Sequence, residues 1–278
     1  MPIKTILSIL GVDQDATDLV NAAELSERSG AHLTAVIVGC VPPAPFGEVA
    51  GGVYSSWSLN WEAENERLEI QTQKLRDLLE ERRLHGDVRA AYCLQGTVEE
   101  EIGNRARYAD VSLIGAGLLA DDFLLKRVLG GALFRSPTPV ILTSKEAKVE
   151  LAPRTILVAW NAGLEAGRAL RSSLDMLVGA ENVHLALVDP AATTSAMGEE
   201  PGADIAAFLA RHGVKTTVDR LASCGRQTDA VLRQHALDID AGLIVMGAYS
   251  HSRLQERIFG GTTTSMIETP GTPVLLAH

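Results

Sequence analysis

Cysteine is scarce in this chain of 278 residues: Cys40, Cys93 and Cys224 are far apart, odd in number and free of CxxC spacing. That excludes a disulfide framework or a thiolate zinc site, and leaves three small apolar side chains expected in the core of a protein kept in a reducing cytoplasm. No apolar run approaches the roughly 18 residues of a membrane span, and MPIKTILSIL has no signal-peptide cleavage region, so it reads as a first strand. Basic residues are in deficit, 25 Lys and Arg against 35 Asp and Glu, and the net charge of −10 argues against nucleic acid or an anionic membrane as partner. Catalytic signatures are missing too. There is no G-x-S-x-G elbow, no HExxH, no G-x-x-x-x-G-K-[ST] loop and no spacing of His and Asp that suggests a metal, so no catalytic or metal-binding residues are assigned.

What the chain does contain is itself, twice. Its 46% hydrophobic and 22% charged residues suit a globular protein. Thr5-Ile6-Leu7 reappears as Thr155-Ile156-Leu157, AHLTAVIV (31–38) as NVHLALVD (182–189), ADVSLIGAG (109–117) as AGLIVMGAY (241–249), and TPVILTS (138–144) as TPVLLAH (272–278). Four landmarks in one order indicate a duplicated domain, 1–147 and 148–278, joined near SKEAKVELAP. Each half alternates strands and helices, and its strands are aliphatic with little alternation, the pattern of a sheet covered on both faces. The expected fold is therefore α/β, two doubly wound five-stranded parallel-sheet domains of order 3-2-1-4-5. Strands are expected near 3–10, 33–39, 87–93, 110–115 and 139–143, then near 154–160, 182–188, 215–221, 242–247 and 273–277. Helices are expected near 15–29, 61–84, 97–107 and after Gly130, then near 164–178, 202–212, 226–236 and 261–268. Leu68, Leu75, Leu78 and Leu79 fall on one face of the second of these. The segment 40–61, rich in Pro and Gly and carrying Tyr54, Trp57 and Trp61, reads as a long loop that could cover a site or meet a partner. His32 and His184, at equivalent repeat positions, read as capping or packing residues.

The candidate site lies in LIVMGAYSHSRLQERIFGGTTTSMIE (243–268). A strand ends at Gly247, where a missing side chain permits close approach. A helix begins after Gly260-Gly261, and its first amides near Thr262 and Thr263, with the helix dipole, favour an anion. Asn161 leaves the neighbouring strand at the same edge, and His251, Arg253 and Arg257 could add positive charge.

These residues resemble the universal stress proteins, in which G-x-x-G, nine residues and then G-(S/T) join the fourth strand to the last helix. Here the match is Gly247 to Ser250, residues 251–259, then Gly260, Gly261, Thr262 and Thr263. The resemblance covers the whole chain and is strongest over 154–278. It implies a tandem member whose domains pair through their last strands as an intrachain pseudo-dimer. It also implies that ATP or another adenine nucleotide, with Mg as an optional companion, binds at Gly247, Ser250, Gly260, Gly261, Thr262 and Thr263. Asn161 would lie near the adenine or ribose and Val188 near the base. Three positions depart from the pattern: Ser250 replaces a glycine, Gly261 a Ser or Thr, and Asn161 a carboxylate. The first half departs further, with no threonines after Gly130-Gly131, and Asp13 is its only counterpart to Asn161. It reads as a degenerate companion domain. The function implied is a cytoplasmic stress-response or signalling protein, at most a slow ATPase. The alternative is an interaction protein without a nucleotide, acting on an unidentified protein or a second copy through dimer surfaces and the 40–61 segment.

Overall fold

The computed structural model describes residues 3–44, 50–145, 147–190, 200–249, 261–268 and 270–278, with side chains from 56 onward in the helix that opens at 50. The chain divides into two compact units, Ile3–Ser136 and Pro137–His278.

In the first unit, β1 (Thr5–Gly11), β2 (His32–Val41), β3 (Asp87–Leu94) and β4 (Val111–Ile114) form a parallel sheet in the order β3-β2-β1-β4. β1 is buried from Ile6 to Gly11 without alternation, because helices cover both faces, whereas the edge strand β3 is only half-buried. The helices are α1 (Thr17–Ser29), α2 (Ala50–Glu81), α3 (Val98–Ala106), α4 (Ala116–Leu119) and α5 (Asp122–Phe134). Gly30, at φ 64°, ends α1, its N–H donating to the Glu27 carbonyl while Ala31 N–H reaches that of Ser26, the left-handed stop that glycine permits.

The second unit holds β6 (Thr155–Ala159), β7 (Asn182–Val188), β8 (Thr216–Leu221), β9 (Leu243–Gly247) and β10 (Val274–Ala277) in the order β8-β7-β6-β9-β10, all parallel. Counted from β6, that is the expected 3-2-1-4-5. It also contains β5 (Val140–Leu142), antiparallel to β10 with Leu142 opposite Val274. The last strands of the two repeats thus pair. Its helices are α6 (Leu164–Ser172), α7 (Leu174–Gly179), α8 (Ala203–Arg211), α9 (Thr228–Asp238) and α10 (Thr262–Glu268). The single helix expected at 164–178 is broken at Ser173, whose buried hydroxyl donates to the carbonyls of Ala169 (2.9 Å) and Leu170 (3.1 Å) and so competes with the helical ladder.

Three further expectations are corrected. The 40–61 segment is not a loop throughout, since α2 already runs from Ala50 and buries Leu68, Leu75 and Leu79 farther along. Its front is anchored. Trp57 Nε1 donates to the Pro42 carbonyl (2.9 Å), the Trp61 ring meets Tyr92 edge-on at 4.3 Å, and the Tyr92 hydroxyl donates to the Trp61 carbonyl (2.9 Å). Tertiary anchoring overrides the poor helix propensity of Gly51-Gly52. Likewise, Gly130-Gly131 do not precede a helix but lie inside α5. A Cβ on Gly131 would sit 2.4 Å from the Glu99 carbonyl oxygen, and one on Gly103 would sit 2.5 Å from Arg135 Cβ. These glycines let α3 and α5 approach closely. Cys93 is buried, its thiol pushed up to about 11 by burial, whereas Cys224 is exposed, contrary to the expectation of a core position. Among the described residues no helix is long and apolar enough to cross a membrane.

The glycine at 131 yields a paired prediction. Gly131→Ala should destabilise the fold by about 1–3 kcal/mol through overpacking. Gly167→Ala, in α6 with nothing within 4 Å of the added carbon, should stabilise it by up to about 1 kcal/mol. Urea unfolding of both variants checks the contrast.

Candidate functional site

In the second unit the strand order reverses between β6 and β9, and α/β sheets bind ligands in the crevice beyond the strand ends at such a point. A cavity of about 300 Å³ opens there, within the range of small-ligand pockets. Asn161, Val188, Gly247, Gly261, Thr262 and Thr263 all line it. Ser250 and Gly260, with His251, Arg253 and Arg257, lie outside the described residues.

Each wall has a local cause. Trp160 N–H donates to the Ala186 carbonyl (2.9 Å), which holds the start of the β6–α6 turn against β7. Asn161 Oδ1 then accepts the Gly163 N–H (2.9 Å) and Ala162 takes φ 60°, so the Asn161 oxygen shapes the turn into α6 while its amide nitrogen remains a donor. The absent side chain of Gly247 serves the protein's own backbone. A Cβ there would lie 2.5 Å from Ala166 N and 2.6 Å from the Glu165 carbonyl carbon, so glycine is what seats the first turn of α6 on β9.

The opposite wall is the start of α10. Gly261 has φ 82°, a conformation that favours glycine over the Ser or Thr of the family pattern. The α10 ladder opens with Ser265 N–H donating to the Gly261 carbonyl (3.3 Å), and the amides of Thr262 and Thr263 precede it, where a helix leaves donors without intrahelical acceptors. Thr263 Oγ1 accepts the Tyr249 N–H (3.4 Å), which leaves its own proton to donate elsewhere. α10 is tied to α9: the Ser265 hydroxyl donates to Asp229 (2.6 Å) and receives a hydrogen bond from Arg233 (2.8 Å). Tyr249, buried and at φ 56°, lines the cavity, and burial pushes its phenol up to about 12, so it stays neutral.

Sequence reasoning missed several lining residues. Ala186, Leu232 and Met246 join Val188 in an aliphatic slot beside the half-buried Trp160, while Thr228 adds a hydroxyl. Glu165 is the one formal charge among the described lining residues. The alternation of β7 places Ala186 on the face of Val188, and Trp160 adjoins Asn161, so both were within reach of the pattern; Thr228 and Leu232 required knowledge of where α9 lies.

At the corresponding strand end of the first unit the protein's own side chains come close. Gly115 follows β4, and a Cβ there would lie 2.2–2.4 Å from the Asp18 carboxyl. Asp18 Oδ2 accepts the Gly117 N–H (2.8 Å) at the start of α4. Burial raises the Asp18 pKa more than the hydrogen bonds from Gly117 and its neighbours lower it. Gln14 fills adjoining space, its Oε1 3.2 Å from where a Gly117 Cβ would be. Asp13 is exposed and paired with Arg67 on α2, so it does not take the part of Asn161.

The α/β fold with its mostly parallel sheet is like that of solved universal stress proteins. No protein-family model and no curated protein matches the sequence. Solved structures do. A universal stress protein from Archaeoglobus fulgidus DSM 4304 is 20% identical with a TM-score of 0.64, over 98% of this chain and 95% of that one. A functionally unknown protein from Pseudomonas aeruginosa PAO1 is 18% identical with a TM-score of 0.57, over 99% and 92%. A provisionally assigned universal stress protein from Pseudomonas aeruginosa UCBPP-PA14 is 18% identical with a TM-score of 0.56, over 99% and 93%. At these identities the likeness is one of fold.

The Asp18 carboxyl gives a pH test. Because its native pKa lies above the ordinary 3.8, the native chain holds this proton to higher pH than the unfolded chain. Its contribution is complete below the ordinary value and is lost as pH rises through the native one. The stability of wild type relative to Asp18→Asn should therefore increase as pH falls from 7 to 4, measured by urea unfolding at each pH. A difference that shrinks on acidification would contradict the burial assigned to this carboxyl.

Proposed function

We propose that the second half of the chain, residues 148–278, binds ATP or another adenine nucleotide in the cavity at the ends of β6 and β9, and that the protein acts in a cytoplasmic stress response or in signalling. The observation that carries this reading is the cavity itself, which pairs an aliphatic slot with a cluster of donors. Val188, Ala186, Leu232 and Met246 offer an apolar bed for a base, and Trp160 a ring beside it. The hydroxyls of Thr262 and Thr263, with the amides at the start of α10, offer donors to phosphate. The donor set fits such a ligand in one orientation. Glu165 is negative, so phosphates belong on the α10 side, and Mg accompanying a polyphosphate would offset the remaining repulsion.

Residues 1–147 are proposed to be a companion domain without a ligand of its own, supported by the Asp18 carboxyl on the Gly117 amide. Gly247 contributes by seating α6, and Gly261 by its left-handed backbone. Neither needs a side chain toward the ligand. Ser250 and Gly260 keep the phosphate role implied by the family pattern.

ATP or ADP should raise the melting temperature of the wild-type chain, because a ligand that binds only the native state stabilises it by about 2.7 kcal/mol at 100 times its Kd. Val188→Trp, which fills the slot, should abolish that shift while leaving the circular dichroism spectrum unchanged. Nucleotide should also change the tryptophan fluorescence, and Trp160→Phe should remove that change although Trp57 and Trp61 remain. No response of the wild type to ATP, ADP or AMP would return the chain to the reading in which it acts through protein contacts alone.

A further inference from the structure

Three side chains converge on the cavity's face of the sheet, farther along from the ligand slot. His184 lies on β7, two residues before the cavity-lining Ala186. Asp219 lies on the edge strand β8, opposite Ala186 in the parallel register, and His235 lies on α9, one turn after the cavity-lining Leu232. Side chains alternate along a strand, so His184 and Asp219 share a face, the one α9 covers. His184 Nδ1 and His235 Nε2 each stand 2.7 Å from the same Asp219 oxygen, Oδ2, and the two rings are 6.1 Å apart and nearly perpendicular. Read as packing, His184 would need neither partner.

Charge and donor type favour a cation at this point. Asp219 is largely buried, at 18% side-chain exposure, and its ion-pair partners are the two imidazoles, with no lysine or arginine among the described residues. A buried carboxylate is stable when a positive group accompanies it. Two neutral imidazole lone pairs and one carboxylate oxygen within 4.8 Å of one another form a ligand set suited to zinc-like ions. The histidines retain 22% and 17% exposure, enough for an ion to enter and for water to complete its shell.

We propose that His184, Asp219 and His235 form a binding site for a divalent transition-metal ion of the Zn²⁺ type, with three protein ligands and one position for water. In a tetrahedral site with bonds near 2.0–2.1 Å the ligand atoms stand about 3.3 Å apart, so the rings need to withdraw from Asp219 by roughly half an ångström. Each imidazole must then carry its proton on the other nitrogen, Nε2 in His184 and Nδ1 in His235. For neutral rings this is a tautomer exchange with no net loss of protons. The sequence gives no sign of such a site, because Asp219 stands 35 residues from His184 and 16 from His235, on three separate elements.

The test uses the full chain, stripped with EDTA and free of nucleotide, so its result does not depend on the nucleotide reading. Titration with Zn²⁺ alone against a chromophoric chelator should show one ion per chain and a raised melting temperature. Asp219→Asn and His235→Gln should each weaken binding by at least about tenfold. Failure of the wild type to bind Zn²⁺, or wild-type affinity in either variant, overturns the proposal. Should a variant fail to fold, zinc X-ray absorption of the loaded wild type decides. Two imidazole nitrogens with oxygen support the site, and a shell with sulfur or fewer than two imidazoles overturns it.

Discussion

The close seating of α6 on the backbone of Gly247 is the constraint on which the strand-end architecture of the second unit depends. With 2.5 Å between a hypothetical Cβ and Ala166 N, no side chain fits at that position without lifting the helix. The seated helix fixes the turn through Trp160, Asn161 and Ala162, and that turn forms one wall of the cavity. The other wall, α10, is held separately through Ser265, Asp229 and Arg233. The space between two independently fixed walls is the cavity.

The first repeat obeys the same constraint with another outcome. Gly115 occupies the equivalent strand end, but what approaches it is the carboxyl of Asp18. That carboxyl accepts an amide of α4 that would otherwise be open, and Gln14 packs beside it. Farther on, the glycine pair that introduces α10 in the second repeat has been drawn into α5 in the first, where Gly131 lets two helices touch. The two halves share the sheet pattern, and in the first the glycine pair serves helix packing.

Much of this was legible in the residues. Aliphatic runs without alternation announced strands buried on both faces, and the recurrence of TILS as TILV and of TPVIL as TPVLL announced the repeat. Asn161, Gly247, Gly261, Thr262 and Thr263 follow from the strand-to-helix pattern and Val188 from the family resemblance, and the fold brings them to one cavity. What failed had physical causes. Gly51 and Gly52 spoke against a helix that tertiary contacts from Trp57 and Trp61 enforce. Gly247 permits close approach by backbone or ligand, and it is the backbone of Ala166 that comes closest. The cluster at Asp219 was invisible because separation in sequence carries no trace of the strand register that joins His184 to it.

The two chemistries proposed for the second unit share a face of the sheet yet draw on different properties of it. The cavity uses the strand ends, where carbonyls and amides turn outward and small residues leave space. The His184, Asp219 and His235 cluster uses the half-buried edge strand, where a carboxylate is tolerated because two imidazoles meet it. The central claim concerns the first of these, that one repeat keeps an open site while the other is closed by its own carboxyl. Equilibrium dialysis of the full chain against labelled ATP measures this directly. The account predicts one nucleotide bound per chain; none, or two, would contradict it.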